Sequence, residues 1–270
     1  QRPVLRRRTG LWYDSLMIPF VLFALGAILA SFIGVLVARL HTGQSFLSGH
    51  SRCDVCNTPL EPFALVPIVS YFIQGGKARC CGAFLSLYAP LTELLLGGLF
   101  VFSYASFGFT LPLIPFTLSL SLLLALVLYD LVHQILPPVL LAIFVVASAA
   151  TGFLSAPSFS AFLSTFYVAL SIALFLALIH FLSRGRAMGF SDAPFAFGLA
   201  LLTGSAALPG FIFSFWIGAV VGILILLKRP AGSRMGIEVP FAPFLAAGFL
   251  LAYFTQWNPF IFIMASLPSK

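Results

Sequence analysis

Long apolar runs separated by short polar breaks fill most of this chain, and their lengths set the first expectation. A bilayer core about 30 Å thick needs roughly 20 apolar residues in a helix. Runs of that order lie near 16–39, 86–106, 111–129, 138–154, 160–182, 193–207, 210–227 and 240–256, with a short apolar tail at 259–268. The run at 193–207 is the shortest of them. One long polar interval, His41 to Leu85, contains its own apolar patch from Phe63 to Ile73. That patch is too short to span, so it is expected to be re-entrant or interfacial. The pattern predicts an all-α, polytopic membrane helix bundle of about eight spans. Its parts are a basic N-terminal segment 1–15, a first transmembrane helix 16–40, a cysteine loop domain 41–85 between the first two spans, and a transmembrane core 86–270.

Composition agrees and narrows the class. Hydrophobic residues make up 61% of the chain and charged residues 8%, against roughly 25% charge in a soluble domain. The first apolar run exceeds the roughly 7–15 residues of a signal-peptide core. The net charge of +7 therefore reads as membrane orientation, not as a nucleic-acid surface. Arg39, Arg52, Lys77 and Arg79 lie in or beside the first loop, Arg184 and Arg186 before Asp192, and Lys228, Arg229 and Arg234 after the seventh run. With eight spans these loops share one face, and the loops around 107–110, 155–159 and 207–209 carry no charge. The positive-inside rule makes the charged face cytoplasmic. Arg2, Arg6, Arg7 and Arg8 then fall on the opposite side; three loops outweigh one terminus, and the segment reads as an interfacial anchor or an appended remnant. Arg184 and Arg186 suit anionic lipid headgroups.

Only seven carboxylates occur in the whole chain, and an acid beside lipid is retained mainly where it acts. Asp130 closes the third span and Asp192 opens the sixth, on the same face. Two carboxyl groups in close contact cannot both ionise, so one is poised as base and the other as acid. Such a pair can activate a water for peptide hydrolysis. Other readings stand beside this one. Asp192 before Ala193-Pro194 fits a helix N-cap with proline in the first turn, Asp130 fits a helix end among headgroups, and an acid pair also suits ion or proton transport.

Several stretches carry a family resemblance. Ala30-Ser31-Phe32-Ile33-Gly34-Val35 through Arg39-Leu40 resembles GSFLNVVIYRLP, and Cys53-Asp54-Val55-Cys56 resembles a CxxC knuckle. Leu65 to Tyr71 resembles LIPVLSYL, Tyr88 to Leu94 resembles YPLVELL, Asp130 to Pro138 resembles DLDHQLLPD, and Pro240 to Leu245 resembles PFGPFL. Gly189-Phe190-Ser191-Asp192 sits where the family carries GxGD. In this order the segments resemble the type IV prepilin peptidases, the prepilin leader peptidase/N-methyltransferase family of GxGD-type intramembrane aspartyl proteases, over nearly the whole length. The resemblance implies that Asp130 and Asp192 are the catalytic pair of a bacterial inner-membrane endopeptidase whose active site faces the cytoplasm. Its substrates would be type IV prepilin or pseudopilin precursors of pilus and type II secretion systems, and the new N-terminus would be methylated from S-adenosylmethionine. It also implies that Glu93, Gly189 and Ser191 support the site, although Glu93 by itself equally reads as an interfacial acid satisfied by a neighbouring helix's hydroxyl or backbone; His133, one helical turn beyond Asp130, is placed to tune it or to lie among the headgroups. His180 reads as an interfacial residue.

The departures from the pattern define what the structure must answer. Ser191 replaces the second glycine of GxGD, which is tolerable if that backbone is ordinary. Pro194 stands where the family often has lysine, Pro138 replaces an acid and Gly34 an asparagine. A non-catalytic prepilin-binding homologue is the alternative these changes allow. In the second knuckle, Lys77-Ala78-Arg79-Cys80-Cys81-Gly82, Cys81 aligns with the family's last cysteine, Ala78 with the third, and Cys80 is extra. A cytoplasmic loop disfavours disulfides, and zinc wants four ligands in a tetrahedron. Cys53, Cys56 and Cys81 are the leading ligands of a structural zinc, with Cys80 or His50 completing it. Reduced thiols in a metal-free loop are the other reading.

Overall fold

The structure is a computed structural model that describes residues 9–40, 52–53, 55–186, 188–228 and 240–259. The arginines at positions 2, 6, 7 and 8, His50, Arg229, Arg234 and the apolar tail beyond residue 259 lie outside the described residues. The helices are α1 (Thr9–Arg39), α2 (Val69–Ile73), α3 (Tyr88–Phe107), α4 (Leu113–His133), α5 (Pro138–Ser155), α6 (Phe159–Leu182), α7 (Asp192–Thr203), α8 (Ala207–Lys228) and α9 (Ala242–Thr255). Short 3-10 turns occupy Pro62–Leu65 and Gly204–Ala206, and no strand occurs among the described residues. Apart from α2, each helix falls on one of the eight apolar runs.

Among the described residues, six helical stretches are long and apolar enough to cross a membrane. They are Met17–Arg39, Tyr88–Phe107, Leu113–His133, Pro138–Ser155, Phe159–Leu182 and Asp192–Lys228; the last joins α7 and α8 through the 3-10 turn. The 12 residues of α7 and the 14 of α9 are about 18 and 21 Å long, short of the roughly 30 Å core. Protein covers α7, which packs on α5, α6 and α9 and buries Asp192, Ala193, Phe195, Ala196 and every residue from Gly198 to Thr203. A helix end inside the membrane is tolerated where protein surrounds it.

The chain forms two compact units, Gln1–Phe109 and Thr110–Lys270, so the division falls after α3. In the first, α1 lies along α3. A Cβ added at Gly26 would sit 2.8 Å from Gly97 Cα, so this crossing needs small residues, as membrane helix pairs often do. In the second unit α4 packs on α5 and α9, α6 on α7, and α8 on α9. A side chain at Gly248 of α9 would run into Ser214 of α8, whose hydroxyl donates to Gly210 O at 2.8 Å and Leu245 O at 3.2 Å. Outward faces carry large exposed apolar residues such as Phe20, Leu94, Val146 and Phe175. Water would not tolerate such surfaces; lipid does, and the chain is a multi-pass membrane protein.

Candidate active site and metal centre

In the second unit the acids sit where helix ends converge. Asp130 lies in the last turn of α4, and its main-chain oxygen accepts from Gln134 N at 2.8 Å, where the helix stops in a left-handed turn (Gln134 φ 56°). Its Oδ2 accepts from the backbone N–H of Ala242, the first residue of α9, at 3.3 Å. That donor is one of the orphan N–H groups at any helix start, so Asp130 caps α9 from another helix. Asp192 is the first residue of α7. Both carboxylic side chains are buried, at 7% and 8% exposure, and Asp192 is within electrostatic reach of Asp130 and of His180.

The loop before Asp192 answers the question posed by Ser191. Ser191 adopts φ −65°, ψ −18°, an ordinary right-handed conformation, and its side chain makes no capping bond. Asp192 therefore belongs to the helix itself, not to the N-cap position the sequence allowed. Gly189 has the closer role: its backbone N–H faces the Asp192 carboxyl, and a methyl added there would stand 3.7 Å from Asp192 Oδ2. His180, read from sequence as interfacial, is half-buried, with Nδ1 2.9 Å from Met188 O. A carbonyl only accepts, so Nδ1 carries the proton and the ring ties the Asp192 loop to α6. Phe190 packs edge-on against the same ring at 5.6 Å. His133 lies exposed over the Tyr129 ring, with centroids 4.3 Å apart. Ala242 contributes a main-chain N–H, which no residue type in the sequence signals.

Glu93 belongs to the first unit. It is 5% exposed, and its Oε2 accepts from Ile68 N at 2.6 Å.

The cysteine knuckles are also in the first unit. Arg52 pairs with Pro59 and Lys77 with Phe84 in antiparallel bridges that enclose the four cysteines. Cys53 N donates to Thr58 O and Asn57 N to Cys53 O; Ala78 N donates to Ala83 O and Gly82 N to Ala78 O. The two turns thus share one hydrogen-bond pattern, with Ala78 at the place of Cys53 and Cys81 at the place of Cys56. Cys80 fills the gap. The four Sγ atoms lie within 4.8 Å of one another, with Cys53–Cys81 at 3.7 Å, Cys56–Cys80 at 3.2 Å and Cys80–Cys81 at 3.9 Å. A tetrahedron with about 2.3 Å metal–sulfur bonds has edges of about 3.8 Å, so the four cysteines are positioned to hold one metal ion. The Cys56 thiol is drawn down to about 6, chiefly by the Thr58 hydroxyl 3.2 Å away. Cys80 is pushed up to about 12, chiefly by its hydrogen bond with Cys56.

Residues 24–107 match the Bacterial Peptidase A24 N-terminal domain. A prepilin leader peptidase/N-methyltransferase of Bacillus subtilis (strain 168) is 33% identical over 242 residues, covering 86% of this chain and 92% of that protein. The chain belongs to the prepilin leader peptidase/N-methyltransferase family. Relatives of the same name in Myxococcus xanthus (strain DK1622) and Pseudomonas aeruginosa are 35% and 32% identical over 217 and 200 residues. These matches cover 79% and 73% of this chain and 65% and 68% of those proteins. No solved structure matches the chain. The matched N-terminal domain falls within the first compact unit, which carries the cysteine knuckles and Glu93; both aspartates lie in the second.

Proposed function

We propose that this family member is an intramembrane aspartyl endopeptidase that removes the leader from type IV prepilin or pseudopilin precursors at the cytoplasmic face of the bacterial inner membrane. One relationship carries the reading: Asp130 and Asp192 are both buried and within electrostatic reach of each other. Like charges so placed disfavour double ionisation, so the proposed mechanism takes one carboxyl as ionised and the other as protonated. The ionised carboxylate takes a proton from a water as its oxygen attacks the scissile carbonyl. The protonated partner gives its proton to the carbonyl oxygen. Collapse of the resulting diol breaks the C–N bond, and the amine leaves with a proton returned by the first carboxyl. Ala242 N–H holds one oxygen of Asp130 and so fixes which face the group presents. Gly189 leaves the space beside Asp192 Oδ2 open.

The relatives' name also includes an N-methyltransferase, and S-adenosylmethionine would supply the methyl group to the new amine. No strand, and hence no strand-to-helix glycine turn of the nucleotide-binding kind, occurs among the described residues. Zinc fits the four-thiolate knuckle; four protein ligands leave no open position, which makes its role structural. Anionic lipids remain the proposed partners of Arg184 and Arg186.

The test is cleavage of a purified prepilin by the detergent-solubilised chain beside Asp130→Asn and Asp192→Asn. Cutting by the parent alone supports the pair. A folded parent that binds precursors without cutting them would favour a non-catalytic homologue, and cutting that survives either substitution would mean the wrong acids were chosen.

A further inference from the structure

The apolar patch between the first two spans has an unexpected anchor. Glu93 is five residues beyond the start of α3, about 7.5 Å along its axis. At 20 residues, α3 is about 30 Å long, no longer than the hydrocarbon core itself. Because Glu93 Oε2 accepts from Ile68 N at 2.6 Å, the start of α2 is held below the end of a membrane-length helix.

Ile68 is itself strained. Its φ of 61° and ψ of −54°, with Val69 N donating to Pro67 O at 2.5 Å, describe a γ-turn. Few residues adopt it, and β-branched ones least of all. Such a turn persists only where its surroundings hold it, and the buried Glu93 carboxylate does so. After this turn α2 buries none of its residues. Val69, Phe72 and Ile73, spaced to share one face, are all exposed, Phe72 to 72%, and Phe63 of the preceding 3-10 turn to 76%. The apolar surface does not end there. Phe84, Leu87, Leu91 and Leu94 are exposed in turn and lead onto the outward face of α3. Lys77 Nζ stands 5.1 Å from the centre of the Phe84 ring, and Arg79 is exposed nearby in the chain.

We propose that residues 62–73 form a foot that rests in the headgroup–acyl boundary of the bilayer, with Phe63, Phe72 and Ile73 in the lipid. The occupant of this face is the lipid surface. Depth argues for it, since Glu93 ties the foot inside the length of α3. Continuity argues for it, since the same apolar surface runs onto a membrane-crossing helix. The cation over Phe84 completes the pattern of interfacial segments, which bury aromatic bodies and keep basic heads among phosphates.

The test places p-benzoylphenylalanine at Phe63 or Phe72 of the full chain, reconstituted in nanodiscs of phosphatidylethanolamine and phosphatidylglycerol. An aromatic replaces an exposed aromatic, so folding is not at risk. After irradiation, mass spectrometry should find phospholipid adducts at both positions, several-fold above the yield at Asn57, an exposed knuckle residue. Adducts to another part of the chain, to a second copy or to added prepilin, or yields no higher than at Asn57, would overturn the proposal. The readout needs no peptidase activity, so it stands or falls apart from the proposed function.

Discussion

The backbone N–H of Ala242 reaches across 112 positions to the Oδ2 of Asp130, at 3.3 Å. In the proposed function one carboxylate would serve two purposes, chemistry and the anchoring of α9. The two separate by substitution. Asn in place of Asp130 keeps an oxygen for Ala242 but loses the carboxyl, whereas Leu loses both. Both variants should lose prepilin cleavage by about 10²–10⁴-fold, the usual worth of a general acid or base. Only Asp130→Leu leaves a buried N–H unpaired, and it should lose a further 1–3 kcal/mol or so of stability. Thermal unfolding in detergent reads the difference; equal melting of the two variants would remove the anchoring role.

Ser191→Gly should leave cleavage close to the parent's. The family's glycine would matter if the backbone needed a positive φ, but Ser191 sits at −65°, where glycine adds only about 0.5–1 kcal/mol of unfolded-state entropy. Gly189→Ala should do the opposite. Its methyl fits without strain yet lands 3.7 Å from Asp192 Oδ2, taking up space that the water of the proposed mechanism would need. Steady-state kinetics on both variants decides between them, and a large gain in Ser191→Gly would mean that the hydroxyl obstructs the site.

Much of this was legible in the sequence because lipid imposes a simple rule on long segments. The eight apolar runs became α1 and α3 to α9, with ends within a few residues for most. What pattern could not supply was helix length against bilayer thickness where protein replaces lipid. The run at 193–207 ends as α7 at Thr203, and the 3-10 turn at Gly204–Ala206 joins it to α8. Contacts made by main-chain atoms left no trace in residue types either, which is why Ala242 and Ile68 went unassigned. Cys80 was visible as an extra thiol, but only the shared turn geometry of the knuckles explains where it stands. His180 was read as interfacial because its partner is a carbonyl, which any residue at position 188 would provide.

His180 should behave as a positioning residue for the Asp192 loop. His180→Phe keeps an aromatic ring against Phe190 but removes the N–H that Met188 O accepts at 2.9 Å. A bond of this kind is worth about 0.5–1.5 kcal/mol, so kcat should fall about 2- to 12-fold with KM unchanged. Amide exchange at Gly189 to Asp192 should quicken. His180→Asn, which restores a donor near the same place, should recover part of both. An unaltered kcat and exchange pattern in the Phe variant would exclude the role.

The knuckles make the last prediction, because their shared hydrogen-bond pattern identifies Ala78 as a vacant ligand position. Cys80→Ser should weaken metal binding, since it removes one corner of a cluster whose sulfurs lie within 4.8 Å of one another. Adding Ala78→Cys to that variant should restore one metal per chain, because Ala78 occupies in its turn the place of Cys53 and is buried as Cys53 is. Cobalt provides the readout. Four thiolates give intense sulfur-to-metal charge-transfer bands, which should weaken in the single variant and return in the double. Metal content measured on the purified chains checks the stoichiometry. If Cys80→Ser binds cobalt as tightly as the parent with an unchanged spectrum, Cys80 is not a ligand and the fourth corner belongs to another group. If the double variant fails where the parent binds, the two turns are less alike than their hydrogen bonds indicate.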